Sequence, residues 1–211
     1  MAVAQGLTEL YPDVRCALEH GNAYELLVAT ILSAQTTDER VNMVTPVLFA
    51  RYPTATDLAH GDPADVEEII KSTGFFRAKT KSLVRMAQAL ETRFGGKVPT
   101  ELDELVTLPG VGRKTGNVVR SVAFDLPGLP VDTHVTRLSR RLKLTTETDP
   151  VKIELDLNAI VQPAERGAFS LRLIEHGRKV CVARSPRCDD CTLNEVCPSA
   201  FKVRAARSAS R

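Results

Sequence analysis

Apolar residues recur three and four positions apart almost throughout the chain. Tyr24, Leu27, Val28, Ile31 and Leu32 form one such stripe, and Val41, Val44, Val47 and Leu48 form the next, which is the spacing of one face of an α-helix. Local punctuation sharpens two more helices. Asp62 to Ser72 has Pro63 just inside its start and Gly74 just past its end, and Lys79 to Phe94 is closed by Gly95 and Gly96. The same periodicity predicts helices over Glu101 to Thr107, Arg113 to Phe124, Asp132 to Leu142, Pro150 to Val161 and Ala164 to Glu175, the last ending before Gly177. No alternating strand pattern competes, and no repeat or low-complexity block interrupts the series. The pattern predicts an all-α protein with a frayed C-terminal tail.

With 211 residues and 43% hydrophobic content, the chain can bury one large core or two joined smaller ones. No run approaches the roughly 18 apolar residues of a membrane span, and the N-terminus lacks a basic segment followed by an apolar one. A cytoplasmic protein without a membrane partner is expected. Cysteines in that compartment are thiols or metal ligands; of the five, Cys16 stands apart and is expected in the core. A net charge of +2 does not by itself identify nucleic acid as a partner. Arg178, Lys179, Arg184, Arg187, Lys202, Arg204, Arg207 and Arg211 do crowd the last part of the chain, as a solvated surface or as phosphate contacts.

Leu108-Pro-Gly-Val-Gly-Arg-Lys-Thr115 lies between two helical stretches, where Pro109 and two glycines suit a tight reversal. Gly110 and Gly112 would let a phosphate approach the backbone N–H groups, and the helix starting near Arg113 adds its positive end. Such a hairpin grips backbone and not sequence; an ordinary αα-turn with a glycine cap is the alternative. Lys114 opens the second helix, where a cation opposes the helix dipole. Its amine could attack a sugar C1′ only after losing a proton that lysines ordinarily hold up to about pH 10.4; the other reading is a surface lysine holding a phosphate. Asp132 reads as the N-cap of the helix containing Val135, Leu138 and Leu142, and His134 as a packed or hydrogen-bonded histidine, with an acid or base at the active site as the other reading.

Cys181, Cys188, Cys191 and Cys197 form Cys-x6-Cys-x2-Cys-x5-Cys. Four thiols in one short loop imply a metal. Zinc ribbons usually carry two Cys-x2-Cys knuckles and this string has one, whereas an iron-sulfur cubane tolerates wider spacing. Spacing favours the cubane and leaves zinc open.

Four separated motifs together resemble the endonuclease III family of base excision repair glycosylases: Ile31-Leu-Ser-Ala-Gln-Thr-Thr-Asp38, Leu108 to Thr115 with Asn117-Val-Val119, Val131-Asp-Thr-His134, and His176-Gly-Arg-Lys-Val-Cys181 leading into the cysteine string. The resemblance implies a helix-hairpin-helix glycosylase fold, with a six-helix module over residues 22–129 and a second lobe from residues 1–21 and 130–211 around a [4Fe-4S] cluster held by the four cysteines. It implies removal of oxidised pyrimidines from damaged double-stranded DNA, with the target nucleotide flipped out of the stack, followed by strand cleavage through a lysine Schiff base. In that scheme Lys114 is the nucleophile and Asp132 stabilises the positively charged sugar, with Asp38 a weaker candidate near the site. Gly110, Gly112, Arg113 and Thr115 would contact phosphate. Gln35 would fill the vacated stack. Phe75 falls where the family has an apolar wedge, although core packing would also suit a phenylalanine.

Gly116 departs from the alanine common in the family and is expected to loosen the catalytic helix by up to about 1 kcal/mol. Adenine-DNA glycosylases share the hairpin, aspartate and cluster, but Thr30 stands where they carry a catalytic glutamate. A non-enzymatic DNA-binding module would have no need of Lys114 and Asp132 together, and an electron carrier would leave the hairpin unexplained. A monomer is expected, associated with the nucleoid if the source is bacterial.

Overall fold

The computed structural model describes residues 2–203, and all regular structure among them is helical. The expected tail fraying, with Arg204, Arg207 and Arg211, lies outside the described residues. In chain order the helices are α1 (Ala2–Leu10), α2 (Ala23–Leu32), α3 (Asp38–Arg51), α4 (Ala55–Ala59), α5 (Pro63–Ile70), α6 (Phe76–Phe94), α7 (Leu102–Leu105), α8 (Arg113–Ala123), α9 (Thr133–Arg141), α10 (Pro150–Ile160) and α11 (Arg166–Lys179). No helix is long and apolar enough to cross a membrane among the described residues. The chain divides into two compact units, one spanning Cys16–Leu126 and one drawn from both ends, up to Arg15 and from Pro127 onward.

The contiguous unit is built round α2. Every residue of α2 from Tyr24 to Leu32 except Glu25 is buried, so this helix has no solvent face and is covered by α3, α6 and α8. Cys16 is half-buried against the same core. Each boundary has a local cause. Asn22 caps α2 through Glu25 N–H at 3.0 Å, Thr54 and Asp57 close a reciprocal capping box on α4, and Gly95 ends α6 in the left-handed region at φ 58°.

The second unit packs α1 and α9 on α11 around Leu7, Val135, Leu138, Phe169 and Leu173. Gly6 of α1 sits directly under the cysteine loop, since a Cβ there would lie 2.6 Å from Leu193 Cδ2. Arg172 ties the two ends of the chain together by donating to the Tyr11 carbonyl at 3.2 Å.

Several sequence boundaries shift. The helix expected from Lys79 starts at Phe76, because Phe75 itself, at φ 48°, breaks the chain into it. The Glu101 to Thr107 helix shortens to Leu102–Leu105. The helix expected to stop before Gly177 runs on to Lys179; Gly177 is no terminator but the point where α11 touches α9, since a Cβ there would meet His134 Nδ1 at 2.8 Å and Arg137 Nη2 at 3.0 Å. Helices α1 and α4 went unrecognised in the sequence pattern.

Asp65 Oδ2 accepts from the Tyr52 hydroxyl at 2.7 Å and from Arg51 Nε at 3.0 Å. These two bonds hold the carboxyl below the usual aspartate range. A depressed aspartate stabilises the fold at pH values above its unfolded pKa, and that contribution is lost as pH falls through the folded value. Asp65→Asn should therefore lower the urea midpoint at neutral pH, with the gap to wild type closing as the pH is taken below the carboxyl's titration.

Candidate functional site

In the contiguous unit the hairpin rests on the N-terminal part of α6. Gly110 has φ +79°, and a Cβ there would stand 2.9 Å from Ser82 Cβ and 3.8 Å from Ile31 Cγ2, so both the backbone and the packing demand glycine. Gly112 differs from the sequence expectation. Its φ is −91°, an ordinary value, and a Cβ would meet nothing within 4 Å. The turn does not require glycine at Gly112; the space beside it is simply open.

Gly112 is the N-cap of α8 and supplies no side-chain hydrogen bond to the helix. The N-terminus of this helix of 11 residues therefore receives no cap from the side chain of its N-cap residue, an arrangement suited to an anion. Lys114 is exposed, and Arg113 and Thr115 are half-buried beside it. Asn117 is buried one turn further along, with no hydrogen-bond partner for Nδ2 among the described residues.

Gln35 and Phe75 project from two neighbouring loops of the same unit. Both are exposed non-glycine residues in the left-handed region, Gln35 at φ 55° and Phe75 at φ 48°. Phe75 keeps 67% of its surface in solvent, which rules out core packing for it within the folded chain. Asp38 lies in the first turn of α3, whose N-cap Thr37 accepts from Arg40 N–H at 3.3 Å; an acid there favours the helix dipole. Thr30 Oγ1 donates to the Leu26 carbonyl at 2.8 Å, so this buried hydroxyl is spent on its own helix.

In the second unit Asp132 caps α9. Its Oδ1 accepts from both His134 N–H and Val135 N–H at 2.8 Å, while Oδ2 accepts nothing from the described residues. His134 is packed on Gly177 and its Nδ1 lies 3.1 Å from Arg137 Nη2. A guanidinium only donates, so Nδ1 is the acceptor. Arg137 also donates to the Gly177 carbonyl at 2.9 Å and the Cys181 carbonyl at 3.2 Å, which joins the start of the cysteine loop to the helix that Asp132 caps.

Cys181, Cys188, Cys191 and Cys197 line one apolar cavity of about 30 Å³, closed by Leu138, Leu142, Val180 and Leu193. Among the described residues no three His, Cys, Asp or Glu side chains are grouped to hold a metal ion. Zinc draws its sulfur ligands to about 2.3 Å round one point, while a cubane spreads them over separate irons. Four thiols lining one cavity supply a donor set that either centre could take.

The surroundings fit thiolates bearing a cluster. Arg141 Nη1 donates to Cys181 Sγ at 3.2 Å, and backbone N–H groups of Leu193 and of Ser199 and Ala200 donate to Cys191 and Cys197. Burial, reinforced by the neighbouring thiols, pushes both of these cysteines up, a crowding that a bound cationic centre relieves. Burial lowers His176. Its Nδ1 lies 3.1 Å from the Tyr11 hydroxyl and its Nε2 lies 3.5 Å from Cys191 Sγ, a relay that sequence reasoning missed because Tyr11 lies 165 residues from His176.

Residues 28–163 match the family model of the HhH-GPD superfamily base excision DNA repair protein. The chain is 53% identical to endonuclease III of Synechocystis over 195 residues, 92% of this chain and 89% of that one. To endonuclease III of Bacillus subtilis it is 43% identical over 190 residues, 90% and 87% of the two chains. Among solved structures it is similar to a non-covalent endonuclease III–DNA complex, with a TM-score of 0.91 at 38% identity over 97% of this chain and 96% of that one. A trapped endonuclease III–DNA covalent intermediate gives a TM-score of 0.89 at 40% identity over 94% of each chain.

Gly116, buried in the first turns of α8, faces α7: a Cβ there would lie 2.7 Å from Leu102 Cδ1, with Leu105 Cβ at 3.5 Å. The glycine lets the two helices approach, at a cost in helix propensity. Leu102 is only half-buried, so its δ-methyl can turn away. Gly116→Ala should stabilise the protein by less than about 1 kcal/mol in urea unfolding, the propensity gain reduced by moving Leu102.

Proposed function

The chain belongs to the endonuclease III family within the HhH-GPD superfamily, and from that membership we propose that it excises oxidised pyrimidines from damaged double-stranded DNA and then cuts the strand as a lyase. What supports the assignment of roles is an exposed lysine in the first turn of α8, behind an N-cap glycine that offers no side chain, and, in the other unit, an aspartate that caps α9 through one carboxylate oxygen. The relatives include an endonuclease III trapped covalently on DNA, which supports covalent chemistry for this chain as well.

In this reading the N-terminus of α8, with Gly110 and Gly112 in the hairpin, holds a phosphate, and Gln35 and Phe75 enter the stack that the damaged nucleotide leaves. Lys114 Nζ, once deprotonated, gives its electron pair to C1′ as the C1′–N bond breaks and the base departs with that bonding pair and a proton. The sugar ring opens to an imine on Nζ. Loss of a proton from C2′ sends its bonding pair into the protonated imine to give an enamine. As the nitrogen pair returns, a C2′=C3′ bond forms while the C3′–O bond breaks and the 3′-phosphate leaves with its bonding pair, completing β-elimination. Asp132, through its carboxylate charge, stabilises the cationic sugar and assists the proton transfers.

Cys181, Cys188, Cys191 and Cys197 would hold a [4Fe-4S] cluster, which when bound cross-links the C-terminal loop. Arg141 and the backbone donors would balance the thiolate charge there, and Tyr11 and His176 would fix the orientation of Cys191. The reading extends to a monomer working in the cytoplasm, on the nucleoid, supported by relatives named from bacteria.

Borohydride trapping on a duplex with one thymine glycol should give a covalent adduct with wild type and none with Lys114→Ala; an adduct surviving in that variant would overturn the lysine's role. Asp132→Asn keeps an N-cap, since asparagine caps as well as aspartate, and removes the charge. Its thermal midpoint should stay near that of wild type while single-turnover excision falls about 10²- to 10³-fold; a matched loss of stability and rate would reduce Asp132 to a cap. Iron and acid-labile sulfide should be present in equal amounts in purified protein and be lost together in Cys188→Ala, whereas zinc in their place would refute the cluster.

A further inference from the structure

Lys79 lies in the first turn of α6 and is 5% exposed. No carboxylate faces it among the described residues, and burial alone accounts for the lowering of its basicity. A methionine would fill the same volume without the cost of desolvating an ammonium. The bonds it makes explain the charge. Nζ donates to Thr36 Oγ1 at 2.8 Å and to the Thr73 carbonyl at 2.8 Å, and Thr36 Oγ1 donates in turn to the same carbonyl. A side chain of α6 and one group from each of two loops are thus closed into one triangle, across a separation of 43 residues between Lys79 and Thr36.

Each corner of that triangle adjoins a projecting residue. Thr36 follows Gln35, and Thr73 is separated from Phe75 only by Gly74, which is itself at φ +68°. Lys79 also holds Phe75 from the other side, its backbone N–H donating to the Phe75 carbonyl at 3.0 Å. Left-handed backbone at two bulky or long residues persists only where the surroundings enforce it. Here the enforcing contact between the loops is the Lys79 ammonium, with Thr36.

We propose that Lys79 is a positioning residue for lesion capture: by tying Thr36 to Thr73 it fixes the separation of Gln35 and Phe75, so that both enter the base stack together. The proposal rests on the reading of Gln35 and Phe75 as the residues that replace the flipped nucleotide. Lys79 touches neither the sugar nor the base. Its loss should tax the step that opens the duplex and spare the chemistry on a sugar that needs no opening.

The test compares single-turnover borohydride trapping on two substrates: a duplex with one thymine glycol, and a single-stranded oligonucleotide with one abasic site. Lys79→Met should slow the duplex reaction about ten- to a hundredfold, the cost of a small misplacement remote from the chemistry, and leave the single-strand rate within about twofold. Thr36→Val should show the same split, Thr36→Ser should restore the wild-type ratio, and Lys79→Met with Thr36→Val together should lose little more than either alone. A fluorescent base analogue beside the lesion should report slower unstacking in the impaired variants. An unchanged ratio, or equal losses on both substrates, would overturn the proposal, and if Lys79→Met does not fold, the Thr36 pair decides it by the same ratio. Absence of trapping by wild type on the abasic strand would instead sink the lyase reading itself.

Discussion

The contiguous unit depends on a helix with no outside. Because α2 is apolar round nearly its whole circumference, α3, α6 and α8 must each press a face against it, and the positions of the loops between them follow from that burial. The hairpin then has little freedom: it lands on Ser82 of α6 and Ile31 of α2, at a spacing only Gly110 can meet. Helix α6 is thereby a common support, with Lys79 bracing two loops near its start and Ser82 seating the hairpin one turn later. Burial energy, which is unspecific, is converted by these few close contacts into fixed positions for polar groups.

The second unit solves a different problem, since its chemistry-bearing loop has little regular structure to hold it. Packing does part of the work, with Leu193 pressed on Gly6, and directed hydrogen bonds do the rest, with Arg137 and Arg141 donating to carbonyls of the loop. Arg141 spends its guanidinium on the Val182 and Ala183 carbonyls at 2.9 and 2.7 Å. Lys179, one of the basic residues that crowd the end of the chain, pairs with Glu175 at 2.6 Å on the surface.

What the sequence made legible was what depends on neighbours along the chain. The helical stripes, the Pro63 start, the Gly95 stop, the Asp132 cap and the cysteine spacing are all local, and short motifs carried the family. What it concealed depends on residues far away. Gly177 reads as a helix stop until His134 and Arg137 are found against it. Gly112 reads like Gly110, though only one of them is conformationally compelled. Lys79 stands in Arg77-Ala-Lys-Thr-Lys81, a run that looks like solvated surface, and only the fold shows its ammonium turned inward. Phe75 was ambiguous for the same reason, because exposure is a property of the folded chain.

The second unit joins α1 to α11, with Leu193 over Gly6. A growing polypeptide can complete the unit of Cys16–Leu126 as soon as that stretch has left the ribosome, but α1 must wait for almost the entire chain before its partners exist. Synthesis therefore imposes an order, the contiguous unit first and the two-ended one last. The cavity that the four cysteines line draws on α9 and α11 of that late unit, so the cysteine loop takes its place only with the end of the chain's synthesis.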